Sequence, residues 1–338
     1  MKNKVTVRDV ARAAGVSPSA VTIALRGKSG VGAQTRARIL QVAQELGYSR
    51  ESTHAPTGRS VHIHYVIPRY LLEVDRADVP IYHELLMQSI ESCCRENGHF
   101  MVVHYLGQDP DEVEAVIRSI KDIEEDPMVI VQAADLRNDT VMRWVSEIRR
   151  VVFINKYFIK QQVDCVASDG TGIVYAATQY LIERGYQKIG FFDGRTYFKN
   201  LADRKEGYLR CLEDHGMQSA GIWQVHTSYE QAYQEVRQYL RQGVAFPRAI
   251  VCVGDRQAIA AIRALREVGV RIPEDIAIVG FDGLPMAAEQ KPPLTTCSVS
   301  WEEMARLAVE RVLEKTGQPE ERNHKILVGA TLQLGGTT

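Results

Sequence analysis

No stretch of this 338-residue chain approaches the roughly 20 consecutive apolar residues that a membrane-spanning helix needs. The opening Met1-Lys2-Asn3-Lys4-Val5 also lacks the apolar core of a secretory signal, so a cytoplasmic protein without a membrane partner is expected. Cysteine is scarce. The six cysteines, at 93, 94, 165, 211, 252 and 297, form no Cys-x-x-Cys pair and have no His nearby at zinc-ligand spacing, which argues against a disulfide framework or a zinc knuckle. Catalytic signatures are missing as well: there is no Gly-x-Ser-x-Gly elbow, no Walker phosphate loop and no His-Glu-x-x-His helix. Asp169-Gly170-Thr171-Gly172 starts like a phosphate-binding turn, but Tyr175 stands where a third glycine is required. His62 and His64 share one strand face without a third ligand at suitable spacing. The expectation is a chain with no enzymatic activity, metal or cofactor.

Apolar residues make up 45% of the sequence and charged residues 25%, values that fit a globular protein with room for two or three domains. The formal charge of -1 conceals an asymmetry. Residues 1–60 hold ten Lys and Arg against three acids, a balance of +7 that leaves -8 for the remainder. A small basic head on an acidic body suits a phosphate-binding module joined to a different function; a solvated charged face would give the same count.

The head reads as three short helices. Thr6 caps the first, whose Val7, Val10, Ala11 and Ala14 fall at i, i+3, i+4 and i+7 before Gly15 ends it. Ser17-Pro18 is a cap followed by proline at the first helical position, and opens a second helix with Val21, Ala24 and Leu25 inward. A third runs from about Gln34 to Leu46, burying Ile39, Val42, Ala43 and Leu46, and stops at Gly47. Two helices joined by a tight turn over a shared core place the second in the major groove, with Ser17, Ser19, Ala20 and Thr22 toward base edges. Periodicity alone equally allows a three-helix cap on an enzyme.

From Ser60 onward short apolar runs alternate with helical patterns, which predicts parallel sheets covered by helices in two similar lobes. Candidate strands are 61–67, 100–106, 128–132, 151–155 and 163–167, then 188–192, 222–226, 249–253 and 276–281. Helices are expected near 83–97, 171–184, 201–214, 230–241 and 256–268.

The stretch VTVRDVARAAGVSPSAVTIALRGKSGVGAQTRARILQVAQELGY resembles the N-terminal domain of the lactose/galactose repressor family. The resemblance continues through VASDGTGIVYAATQYLIERGYQKIGFF, ADRKEGYLRCLEDHG, VCVGDRQAIAAIRALREVGVRIPEDIAIVGFDGLP and PPLTTCSVSWEEMARLAVERVLE, with Arg69 to Asp135 matching loosely. It implies a small all-α helix-turn-helix domain at 1–48, a linker at 49–60 and an α/β, two-lobed, periplasmic-binding-protein-like sensor at 61–338. It further implies a homodimeric regulator, of repressor type, that grips a palindromic double-stranded operator under control of a sugar-like effector. On this resemblance Thr6, Ser17, Pro18, Ser19, Ala20, Thr22, Ile23, Arg26, Thr35 and Arg36 face DNA, and Asp169, Arg204, Asp255, Asp282 and Trp301 face the ligand.

Three departures accompany it. Ile23 stands where many members carry arginine, so a guanidinium contact to guanine is missing. The linker has no leucine to wedge into a minor-groove step, and Pro56 and Gly58 disfavour a hinge helix, so weaker or differently achieved DNA bending is expected. Gly254-Asp255 replaces the usual Asn-Asp, removing an amide from the pocket. The site residues also have plainer readings: Asp169 and Asp255 as helix caps, Arg204 in a surface ion pair, Asp282 as a turn former, Trp301 as packing. A regulator that binds DNA constitutively, without an effector, is compatible with the same fold.

Overall fold

The computed structural model describes residues 7–17, 20, 21, 24, 32–45, 60–69, 81–107, 109–134, 136–195, 199–318 and 321–338. The chain divides into two units, Met1–Arg59 and Ser60–Thr338.

In the first unit, helix α1 (Val7–Ala14) ends where Gly15 takes a φ of +63°, a conformation glycine adopts without a steric penalty. The Val16 amide then donates back to the Ala11 carbonyl at 3.0 Å. Ser17 Oγ accepts from the Ala20 amide at 3.2 Å, the capping bond expected of a helix start, and Ala20, Val21 and Ala24 are helical. Helix α2 (Ala33–Glu45) follows, and its Arg38 donates to the Ala14 carbonyl. Val10, Ala11, Ala14, Val21, Ala24, Ile39 and Ala43 are buried together, so the stripes read from the sequence meet in one small core. Leu25 and Leu46 lie outside the described residues.

The second unit contains two six-stranded sheets. The first is built from β1 (His62–Pro68), β2 (Phe100–Leu106), β3 (Met128–Gln132), β4 (Arg150–Ile154), β5 (Cys165–Ser168) and β11 (Lys325–Val328), in the order β11-β5-β4-β3-β1-β2 and parallel throughout. The second holds β6 (Ile189–Gly194), β7 (Ile222–Val225), β8 (Ala249–Cys252), β9 (Ala277–Asp282), β10 (Thr295–Ser298) and β12 (Thr331–Gln333), in the order β12-β10-β9-β8-β6-β7 with only β12 antiparallel. The nine strands read from the sequence are all present, with ends within two residues. Most are covered on both faces and run as continuous apolar stretches rather than alternating ones, whereas β2 and β7, at the sheet edges, are partly exposed.

Helices α3 (Ile81–Glu96), α4 (Pro110–Ile123) and α5 (Asn138–Glu147) belong with the first sheet, and α6 (Gly170–Glu183), α7 (Lys199–Asp214), α8 (Tyr229–Arg241), α9 (Asp255–Glu267) and the short α10 (Pro285–Ala288) with the second. Helix α11 (Trp301–Glu314) follows β10 of the second sheet yet packs on α3, β3, β4 and β5 of the first. The chain therefore passes between the sheets three times, at 168–170, 298–301 and 328–331. The first and third passages are tied by the Asp169 amide, which donates to the Val328 carbonyl at 2.8 Å. One apolar cluster runs through both sheets, and two more fill their other faces. No helix among the described residues is long and apolar enough to cross a membrane.

Helices α6 and α7 meet closely because residue 207 is glycine. A Cβ there would collide with the Thr171 carbonyl oxygen, while Thr171 Oγ1 donates to the Asp203 carbonyl at 3.1 Å. Gly207→Ala is expected to push α7 away from α6 and destabilise the second unit by about 1–3 kcal/mol, measured by urea unfolding.

Candidate functional site

In each sheet the strand order reverses between the first strand and the third, β1/β3 in one and β6/β8 in the other. Ligands of open α/β sheets sit outside the carboxyl ends of the strands at such points. At those ends lie Asn155 after β4 and Asp282 at the end of β9, with φ of +66° and +106°. They are the only non-glycine residues with left-handed φ among the described residues, and strain of this kind concentrates at binding and catalytic sites.

Arg204, in the second turn of α7, is the centre of the second-lobe wall. Its side chain is 8% exposed. One terminal nitrogen donates to the Val253 carbonyl, the other donates to Asp282 Oδ1 at 3.0 Å, and the guanidinium lies 3.5 Å from the centre of the Phe281 ring. Burial raises the Asp282 carboxyl above its ordinary range, and the Arg204 charge opposes that rise. Arg204 is thus held as a planar fork beside a partly accessible carboxylate, the donor and acceptor set of a polar ligand site.

Asp255, the first residue of α9, faces elsewhere. It is fully buried, accepting from the Leu284 amide at 2.7 Å and from Thr296 Oγ1 at 2.6 Å, so its carboxyl group fastens the β9–α10 turn and β10 to the start of α9. Burial and then the neighbouring Asp282 charge push its pKa up to about 8. The ordinary value is 3.8, so the folded protein holds this proton across pH 4–8 where the unfolded chain has lost it. Stability therefore falls as pH rises through that window. Asp255→Asn removes this contribution. Between pH 5.5 and 8.5 the Tm of the parent should fall by at least about 2 °C more than that of the variant. Histidines with lowered pKa, such as His64 and His83, act with the opposite sign in both proteins, so the difference isolates Asp255.

Asp169 caps α6, accepting from the Gly172 amide at 2.8 Å, and sits at the first passage between the sheets. Trp301 begins α11 at the second passage, 6% exposed, with its ring stacked on Tyr82 at 5.8 Å. At Gly254 a Cβ would lie 2.7 Å from Gln257 Oε1 and 3.5 Å from Asp282 Oδ2. The Gln257 amide therefore stands beside the place of the asparagine that the sequence comparison finds missing.

Sequence reasoning overlooked Tyr65, His83 and Gln132 of the first lobe. Gln132, at the end of β3 and fully buried, lies with its Nε2 3.0 Å from His83 Nδ1. Burial, and then the nearby Arg256 charge, lower the His83 pKa to about 3. Away from these residues, His62 pairs with Glu124 at 2.9 Å and His64 Nδ1 lies 2.9 Å from His104 Nε2. No group of three or more potential metal ligands is arranged for an ion among the described residues.

In the first unit Ser17 and Thr35 are exposed, and Ala20 and Arg36 half-buried. Thr6, Pro18, Ser19, Thr22, Ile23, Arg26 and the linker through residue 59 lie outside the described residues.

Residues 6–51 match the family model of bacterial regulatory proteins of the lacI family, and residues 178–338 that of a periplasmic binding protein-like domain; together they span more than half of the chain. The head of this chain is that of the lacI family of bacterial regulatory proteins, and it is followed by a periplasmic binding protein-like domain. Relatives of the chain include the ribose operon repressor of Haemophilus influenzae, 27% identical over 325 residues that make up 96% of this chain and 95% of the relative. The HTH-type transcriptional repressor PurR of Pasteurella multocida is 26% identical over 333 residues, 94% of this chain and 93% of that one. Among solved structures, a complex of the transcriptional regulator CelR with cellobiose superposes with a TM-score of 0.67 at 24% identity, covering 99% of this chain and 100% of that one. The lac repressor dimer bound to operator and an anti-inducer gives 0.69 at 22%, covering 99% of each. The lacI-family architecture, a helix-turn-helix head followed by a two-lobed sensor with predominantly parallel sheets, is that of this chain.

Proposed function

We propose that this chain is a sequence-specific transcriptional repressor of the cytoplasm, without enzymatic activity, that binds a roughly palindromic operator as a homodimer and changes its grip when a small, polar, sugar-like ligand enters the cleft. The observation that carries the sensor half is the buried Arg204–Asp282 pair at the strand ends, beside three passages that allow the lobes to shift relative to each other. Arg204, Asp282 and Trp301 contact the ligand, Asp169 stands at the hinge and Asp255 supports the wall from behind. In the head, Ser17, Ala20, Thr35 and Arg36 face DNA, joined by Thr6, Pro18, Ser19, Thr22, Ile23 and Arg26. Two heads on one dimer read two half-sites, and the ligand acts by its differential affinity for the two lobe arrangements.

The test is fluorescence anisotropy of the full chain with labelled fragments of its own genome, with and without ribose and cellobiose. One fragment should bind about 10³-fold or more tighter than random duplex, at a molar ratio of two chains per site, and a ligand should shift that affinity without being consumed. Equal affinity for every fragment at low salt would falsify the DNA-binding reading.

A further inference from the structure

We propose that Tyr65, His83, Gln132 and Trp301 form an uncharged recognition wall on the first lobe, and that the ligand they select is a neutral polyhydroxyl compound, a sugar without phosphate. This rests on the sensor reading above. The four side chains are 0%, 1%, 0% and 6% exposed, yet each keeps one buried polar atom without a hydrogen-bond partner: the Tyr65 hydroxyl, His83 Nε2, Gln132 Oε1 and Trp301 Nε1. They account for four of the eight such atoms among the described residues. Orphans of this kind are rare because each forfeits its hydration, so a concentration at one place calls for a partner that arrives from outside.

The fold brings the four together from distant parts of the sequence. Tyr65 on β1 and Gln132 on β3 flank the point where the strand order reverses, on the same face of the sheet by the register Tyr65↔Ile130. His83 is in the first turn of α3 and Trp301 in the first turn of α11, two helices that pack against each other on that face. Tyr82 links them, its ring 3.9 Å from that of His83 and 5.8 Å from that of Trp301. Tyr65 and Trp301 share one apolar cluster with Val253 and Phe281, the neighbours of Arg204, and the charge of Arg256, in the first turn of α9, acts on both His83 and Asp282, so this wall lies near the Arg204–Asp282 pair.

The chemistry of the wall then narrows the ligand. With the Gln132 amide donating to His83 Nδ1, the histidine proton sits on Nε2, and the neutral ring presents an N–H. The wall offers two N–H donors, one carbonyl acceptor and one hydroxyl that serves either way. Sugar hydroxyls donate and accept, so they can satisfy all four. A phosphate or carboxylate only accepts; it would face Gln132 Oε1 without a proton between them, and the nearby Arg204 guanidinium is already paired with Asp282 and bonded to the Val253 carbonyl.

Isothermal titration calorimetry of the full chain decides the matter, with D-ribose, D-glucose, D-xylose and cellobiose, with ribose 5-phosphate and glucose 6-phosphate, and with adenine and hypoxanthine. A neutral sugar should bind at least tenfold tighter than its phosphorylated counterpart, and Gln132→Leu should weaken it at least tenfold. Tyr65→Phe, which keeps ring packing while deleting one orphan atom, should weaken the sugar severalfold and raise the Tm of the ligand-free protein by about 2 °C. Tighter binding of a phosphorylated sugar, binding of a nucleobase alone, or sugar affinity unchanged in Gln132→Leu and Tyr65→Phe overturns the proposal and leaves the sensor reading standing. If no compound binds and none alters operator affinity, both fall together.

Discussion

Replacing Arg311 by alanine is expected to destabilise the second unit by about 3–5 kcal/mol, the range for removing one member of a buried, hydrogen-bonded ion pair. Arg311, 7% exposed in the last turn of α11, donates from Nε to Asp164 Oδ1 at 2.6 Å, and from its terminal nitrogen to Glu321 Oε1 at 2.9 Å and the Arg322 carbonyl at 3.0 Å. Asp164 is fully buried and also receives Lys315 and the His324 amide. Burial opposes its ionisation, but these partners prevail and its pKa lies below the ordinary value. Without Arg311 the carboxylate keeps only part of this shell, and the segment leading into β11 loses its anchor. Exposed pairs give the contrast: Asp275→Ala, which breaks a surface pair with Arg271, should cost far less. If urea unfolding gave both variants the same small loss, the network would be decorative. The double variant Asp164→Leu with Arg311→Met should recover only part of the stability, since apolar residues can replace the buried pair but Lys315, Glu321 and the His324 amide still lose a partner. The network also has a consequence for the site, because it fixes the far end of the helix whose first residue is Trp301.

Much of this architecture is legible in the sequence because burial on both faces writes β3 as Met-Val-Ile-Val-Gln and β8 as Ala-Ile-Val-Cys, runs that need no tertiary information. Short strands without such runs escape notice: β10 is Thr-Thr-Cys-Ser, and β11 and β12 are largely accessible. Helix α4 escaped despite an available signal, since Asp109 caps it, Pro110 occupies its first position and Asp111 and Glu112 its first turn. Of the cleft residues, Arg204 and Asp282 stand out only through the family resemblance, being 78 positions apart. Asp255 shows how a similar place at a helix start hides different roles. An aspartate opening a helix reads as a cap, as Asp169 indeed is, but Asp255 turns away and binds Leu284 and Thr296 across the lobe. Tyr65, His83 and Gln132 belong to no motif, because their proximity depends on the pairing of β1 with β3 and on where α3 starts.

Arg204→Met is expected to weaken ligand binding by about 10- to 100-fold, the equivalent of losing one or two charge-assisted hydrogen bonds. The methionine keeps the apolar stem over Phe281 but removes both the donor to Val253 and the donor to Asp282. Asp282 is then a buried carboxylate without its cation. Its pKa, already raised by burial, climbs further, so it takes up a proton more readily rather than remaining an uncompensated charge. Affinity in the variant should therefore gain a dependence on pH that the parent lacks. Arg204→Lys restores the charge without the planar fork, so it should recover the stability of the empty protein better than ligand affinity. Pairing Arg204→Met with Asp282→Asn separates the two contributions: thermal stability should return toward that of the parent, while calorimetry should still find the ligand weakly bound. Full recovery of ligand affinity in that double variant would place the recognition chemistry elsewhere, with Arg204 reduced to a counter-ion for Asp282.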